Sequence, residues 1–153
     1  MIRVQEQPFD PAAELAAFTA GRTDVGGTAV FLGRVRDRDG DLVIRAMTLE
    51  HYPGMTERML ERLEGEARRR WPLLDVLVIH RVGRMTPGEP IVLVATAAAH
   101  RRAAFEACEF LVDWLKTRAP FWKFEETPAG GRWVEARASD DEAAARWERP
   151  AAE

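Results

Sequence analysis

The run from His100 to Arg118 constrains the fold more than any other part of the chain. Ala104, Cys108, Leu111 and Leu115 recur at helical spacing, and Phe105 and Val112 widen the stripe, so this is the longest helix, with one face in a core. Pro120 lies just beyond, so the helix ends near Arg118 and the chain turns into a strand from Phe121 to Glu126. Upstream, Ile91 to Ala99 is the longest uncharged apolar stretch, about half of what a membrane span needs, and Ile91–Ala97 is expected to be a strand.

The remaining elements follow from local signals. Ile2–Gln5 forms a short strand, then Asp10 caps a short helix that begins at Pro11, carries Leu15 and Phe18, and stops at Gly21. Thr28–Arg36 and Leu42–Glu50 bracket the polar turn Asp37–Asp41 and are expected to pair as a hairpin. Pro53-Gly54 turns the chain into a helix whose core face is Met59, Leu63, Ala67 and Trp71, with Glu64–Arg68 and Glu66–Arg70 paired on its outside. Arg68-Arg69-Arg70 then reads as a solvated helix end, and Pro72 stops it. A strand at Asp75–Val82, a loop at Gly83–Pro90, a turn at Pro128–Gly131 and a strand at Arg132–Glu135 complete the sheet elements. Ser139-Asp140-Asp141-Glu142 has capping-box form and opens a tail helix to Trp147, with residues 148–153 expected to fray. This order, βαββαββαββα, predicts an α+β fold with a mixed, largely antiparallel sheet.

Charge and residue usage restrict the function classes. With 153 residues and 46% hydrophobic content, one domain spanning residues 1–153 is expected. Lys plus Arg 22 against Asp plus Glu 25 gives net charge −3, so no global positive field draws the protein to nucleic acid or membrane. An anion must be held locally. Met1–Asp10 has no apolar signal run, which points to the cytoplasm. Cys108 stands alone, inside an apolar stripe, and allows neither a disulfide nor a CxxC site. His51, His80 and His100 are scattered, and no Gly-rich phosphate loop or Gly-x-Ser-x-Gly elbow is present, so neither a metal nor a cofactor is expected.

Lys116 and Lys123 are the only lysines; every other basic side chain of this kind is arginine. Two ammonium groups seven residues apart, at a helix-to-strand corner with Phe121 and Trp122 between them, suggest chemistry that needs a compact cation able to give up its proton.

Five stretches carry a family resemblance. Leu49–Met55, Ile79–Gly83, His100-Arg101 with Phe105–Ala107, Lys116–Lys123 and Arg132–Arg137 together resemble the large, catalytic subunits of molybdopterin synthase, in order along nearly the whole chain. The resemblance implies an α/β hammerhead-type fold with a smaller β subdomain. It also implies a homodimer within a heterotetramer, completed by a small ubiquitin-like sulfur-carrier subunit whose Gly-Gly tail bears a thiocarboxylate. The implied activity is a sulfurtransferase that converts cyclic pyranopterin monophosphate, or precursor Z, into the dithiolene of molybdopterin. Lys116 and Lys123 are the implied catalytic residues, and Arg34, Val35, Arg36, His100, Arg101, Lys116, Lys123, Phe124 and Glu125 the implied contacts to substrate. The chain departs from the family pattern at Arg34, which replaces a lysine, and at Phe124, which stands where a cation often follows the second lysine.

His100 and Lys116 are sixteen residues apart on one helix, hence about 24 Å between backbones. One small pterin does not reach both, so the expected site is shared across a homodimer: Lys116, Lys123 and Arg36 from one subunit, His100 and Arg101 from the other. The alternative is that His100 only caps or is buried at the helix start. Two further classes compete: a non-catalytic adaptor that docks a ubiquitin-like tail on Phe121, Trp122 and Trp133, and an RNA-binding module that uses arginines and exposed aromatics.

Overall fold

The computed structural model describes residues 1–135 and 137–148. In chain order its elements are β1 (Ile2–Gln5), α1 (Pro11–Thr19), β2 (Gly27–Arg34), β3 (Arg38–Asp39), β4 (Leu42–Val43), β5 (Ala46–His51) and α2 (Met55–Arg70). After these come β6 (Leu73–Arg81), β7 (Gly83–Met85), β8 (Pro90–Ala98), α3 (Arg101–Arg118), β9 (Phe121–Thr127), β10 (Gly130–Val134) and α4 (Ala138–Ala145). A 3-10 turn, Arg146–Glu148, follows α4.

The main sheet has the order β1-β6-β8-β2, parallel between β1 and β6 and antiparallel elsewhere. One face carries α2 and α3, which bury Leu60, Leu63, Ala67, Phe110 and Leu111 against Val76, Val78 and Val94. The other face buries Leu77, Ile79, Leu93 and Ala95 beneath Phe9 and Phe18. A second, all-antiparallel sheet, β10-β9-β5-β7, forms the smaller subdomain, whose inner face buries Met47, Leu49 and Met85 with Val35. Phe121 packs against both the first and the last of these clusters, so the strand that follows the Lys116 corner joins the two cores. The expected α+β architecture with largely antiparallel sheets and a smaller β subdomain is what forms.

Several local expectations change. The hairpin of Thr28–Arg36 with Leu42–Glu50 does not form: β2 pairs with β8, β5 pairs with β7 and β9, and only the two-residue ladder of β3 with β4 closes around Gly40. The register shifts between Gly33 and Arg34, and after the Arg34–Pro90 pair the chain leaves β8 for the second sheet. The loop Gly83–Pro90 contains β7, too short to announce itself in the sequence. On α2 the buried stripe is Thr56, Leu60, Leu63 and Ala67, while Met59 is only half-buried.

On α3, Phe105 is 65% exposed and the buried aromatic is Phe110. Phe110 lies edge-on to Trp71 and Trp147 at centroid distances of 5.3 and 5.7 Å, with the Arg70 guanidinium 4.9 Å above its ring. The Arg68–Arg70 run is therefore only partly solvated, because Arg70 also donates to the Trp147 carbonyl at 2.6 Å. Ser139 is not a cap: α4 starts at Ala138 with Arg137 in the cap position and no side-chain capping bond. Of the tail expected to fray, Glu148 ends the 3-10 turn and pairs with Arg118 at 2.8 Å, and residues 149–153 lie outside the described residues.

Candidate functional site: a basic cleft between the two sheets

The segment after the β2 register shift passes between the sheets and carries Arg34, Val35, Arg36 and Arg38. Val35 points inward, 5% exposed, and anchors the segment in the second core while its arginine neighbours meet solvent. Opposite them, alternation along β9 puts Lys123 and Glu125 on the inner face of the second sheet. Arg137 enters from the stretch after β10. These residues line one cleft of ≈ 420 Å³ of space, including its open mouth.

Five cations thus face two acids. Glu125, 8% exposed, accepts from Arg132 at 2.8 and 3.2 Å. Asp39 accepts from Arg132 and Arg137, both at 3.1 Å, and lies 3.9 Å from Arg36. A carboxylate shared by guanidinium forks occupies the kind of position that a phosphate oxygen would take. Lys123 still meets solvent at the mouth, yet loss of water around its ammonium lowers its pKa. Glu125 opposes that shift, and the charges of Lys116, Arg137 and Arg36 add to it.

The cleft gathers Arg34, Val35, Arg36, Lys123 and Glu125 of the expected contacts. Lys116 is exposed on the last turn of α3, close enough for its charge to lower the Lys123 pKa, and lines a small apolar slot with Leu115, Val112, Phe31, Val92 and Val94. Phe124 is on the outer face of β9, its ring 5.1 Å from that of Trp133 and packed over Gly131, where an added Cβ would meet the ring at 1.9 Å. It does not face the cleft.

His100 and Arg101 are also absent from it. They sit beside the start of β2, where Gly26 and Gly27 allow close approach: a Cβ on Gly26 would meet the Ala99 carbonyl oxygen at 2.0 Å. Arg34 is at the other end of β2, about 23 Å away at strand rise. His100 is exposed and makes no side-chain capping bond, so the capping and burial roles do not describe it. The sequence reading missed Arg38, Asp39 and Arg137, although the Arg132–Arg137 motif contained the last. Among the described residues no three His, Cys, Asp or Glu side chains are grouped to hold a metal ion, and no helix is long and apolar enough to cross a membrane.

Two sheets joined at a solvent-open, arginine- and lysine-lined cleft make this an α+β protein whose site chemistry suits a small anion. Residues 4–118 match the family model described as MoaE protein. The chain is 55% identical over 147 residues to a molybdopterin synthase catalytic subunit of Pseudomonas aeruginosa, covering 96% of this chain and 98% of that one. A solved structure, the molybdopterin biosynthesis MoaE protein from Burkholderia ambifaria, superposes with TM-score 0.82 and 54% identity, covering 98% of this chain and 99% of that one. A protein-protein complex of subunits 1 and 2 of molybdopterin-converting factor from Helicobacter pylori shares the fold, with TM-score 0.72 and 22% identity over 89% of this chain and 91% of that one. The chain belongs to the MoaE protein family.

Proposed function

We propose that the basic cleft is the seat of the pterin phosphate in a molybdopterin synthase. The chain is a catalytic subunit of that enzyme, a sulfurtransferase that acts on precursor Z to form the molybdopterin dithiolene. The observation that carries the site reading is the convergence of Arg34, Arg36, Arg38, Lys123 and Arg137 on one cleft in a protein of net charge −3. Guanidinium forks bind the phosphate of the substrate and keep hold of it as its ring opens. Lys123, with its lowered pKa, gives up a proton more readily than a fully solvated lysine, and Lys116 beside the apolar slot can orient an incoming thiocarboxylate.

The sulfur comes from a small ubiquitin-like subunit, whose extended Gly-Gly tail is slender enough to approach the Lys116 corner. Two deliveries complete one dithiolene. The complex named for the Helicobacter pylori relative supports an assembly of two kinds of subunit. A homodimer of the present chain supplies what the single cleft lacks. Among the described residues β2 is hydrogen-bonded along one edge only, and Val30 on it is 42% exposed. Antiparallel packing of a second copy along that edge sets the Gly27 end of one strand beside the Arg34 end of the other, bringing His100 and Arg101 toward the opposite cleft. The heterotetramer then has two composite sites.

The adaptor reading is weaker, because its three aromatics do not share a groove: Phe121 faces the interior and stacks on His80, whereas Trp122 and Trp133 lie on the outer face. The decisive experiment mixes the protein with a thiocarboxylated small subunit and cyclic pyranopterin monophosphate and looks for dithiolene. Product is expected, and removal of the partner's two terminal glycines should abolish it while leaving subunit association largely intact. Unimpaired product formation with the truncated partner, or with inorganic sulfide in its place, overturns the proposal.

A further inference from the structure

The arginine wall of the cleft lies where the regular sheet ends. The β2–β8 register shifts between Gly33 and Arg34, which still pairs with Pro90, and beyond that pair the Val35 backbone and the Arg34 side chain are held by three bonds to the loop 86–90. Val35 N–H donates to the Glu89 carbonyl at 3.0 Å, Gly88 N–H donates to the Val35 carbonyl at 2.8 Å, and Arg34 Nη1 donates to the Gly88 carbonyl at 2.9 Å. The loop is in turn tied by one side chain. Glu89 accepts from the Thr86 N–H and hydroxyl through one oxygen, and from Arg81 Nη1 at 3.2 Å through the other.

Arg81 is the fixed end of this chain of contacts. Its side chain is only 6% exposed, and its other guanidinium nitrogens donate to the Glu6 carbonyl just beyond β1 at 2.9 and 3.2 Å. A buried guanidinium with all its geometry committed is a rigid post, whereas a loop with a Pro-Gly turn is not. The Thr86 N–H first, and then its hydroxyl and Arg81, hold the Glu89 carboxyl below the usual range, so the bond network persists at neutral pH. No atom of Arg81 lines the cleft.

We infer that Arg81 and Glu89 are a positioning pair for the reaction: through the loop 86–90 they fix the backbone that aims Arg34 and Arg36 at the substrate phosphate. The inference rests on the cleft being the pterin phosphate seat. Loosening the pair leaves the lysines in place but lets the arginine wall shift, and a misplacement of about an ångström is enough to weaken a forked contact.

Steady-state kinetics of the complex reconstituted with thiocarboxylated small subunit tests this, using Arg81→Met, Arg81→Lys, Glu89→Gln and the double variant, with Arg36→Ala as the cleft control. KM for the pterin phosphate should rise about tenfold in Arg81→Met and in Glu89→Gln while kcat stays within about twofold, the pattern of lost substrate binding. Arg81→Lys should recover part of the loss, and the double variant should resemble the worse single one, because the two act as a unit. Glu89→Gln removes only a partly exposed carboxylate, and Arg81 keeps its bonds to the Glu6 carbonyl, so this variant keeps the test alive should Arg81→Met fold poorly. A lowered melting temperature with unchanged KM in Glu89→Gln and Arg81→Lys means a structural role only and overturns the inference. If Arg36→Ala raises KM and the pair variants do not, the positioning role alone fails; if Arg36→Ala leaves KM unchanged as well, the cleft reading fails with it.

Discussion

Between pH 7 and pH 5 acidification should destabilise this protein chiefly through His80. The ring is 5% exposed at the end of β6, its Nδ1–H donates to the Arg81 carbonyl at 2.8 Å, and it stacks on Phe121 with centroids 4.0 Å apart. Burial pushes its pKa down to about 4, with the Arg81 carbonyl opposing and His51 adding slightly to the shift. An unfolded histidine titrates near 6.5. Between these values the unfolded chain binds more protons, so folding stability falls as pH drops below about 6.5 and the loss is complete only below about 4. Linkage gives about 2 kcal/mol lost between pH 7 and pH 5, and about 3 kcal/mol by pH 4, against a typical total of roughly 5–15 kcal/mol. His80→Phe keeps a stacking ring, removes the proton site, and leaves the Arg81 carbonyl short of one donor, costing about 1 kcal/mol at every pH. Urea unfolding followed by tryptophan fluorescence at stepped pH measures both proteins. Wild type should lose about 2 kcal/mol more than the variant from pH 7 to pH 5. Parallel pH profiles would refute the argument, because other titrating groups are common to both.

Lys123→Arg should turn over as poorly as Lys123→Ala, since a guanidinium keeps the proton that the desolvated ammonium can give up; near-normal turnover would leave Lys123 as an electrostatic clamp only. A mixture of inactive Lys116→Ala and His100→Ala subunits should regain activity through the one intact composite site per mixed dimer, and no recovery after confirmed subunit exchange sinks the shared-site arrangement. Asp39→Asn should strengthen competitive inhibition by inorganic phosphate, because the Arg132 and Arg137 forks lose their resident carboxylate; unchanged or weaker inhibition contradicts that. Phe124→Ala should cost about 2 kcal/mol by calorimetry through lost packing on Trp133 and Gly131, while KM for the pterin phosphate stays unchanged.

What the sequence disclosed depended on whether a feature was local. The Asp10 cap, with its carboxylate accepting from Ala12 and Ala13, and the ends of α3 follow from chemistry within one or two turns, and they form as expected. The choice between Phe105 and Phe110 was not local. Each extends the same apolar stripe by one flank, and the decision is made by Trp71 and Trp147, dozens of residues away, which supply aromatic edges on one side only. The false hairpin has the same origin. Adjacent strands bracketing a glycine turn favour pairing, but Met47 and Leu49 gain more complete burial against Val35 and Met85 in a second sheet assembled around β9.

The site divides along the same line. Lys123 and Glu125 are legible as a pair because a strand places alternate residues on one face, and that same rule sends Phe124 to the other, which a contact inherited from resemblance overlooked. Asp39 and Arg137 enter the cleft only because a broken register and the course of the chain after β10 bring separate segments together, and no periodicity encodes such a meeting. The separation of His100 and Arg101 from the cleft, by contrast, needed only a ruler. A helix of known rise separates His100 from Lys116, and a strand of known rise separates Gly27, beside Arg101, from Arg34, so two lengths of about 24 and 23 Å both set that pair apart from the cleft of its own copy. Rigid elements of fixed pitch thus predict a requirement for a second subunit from a single chain, provided that both groups touch the same small substrate.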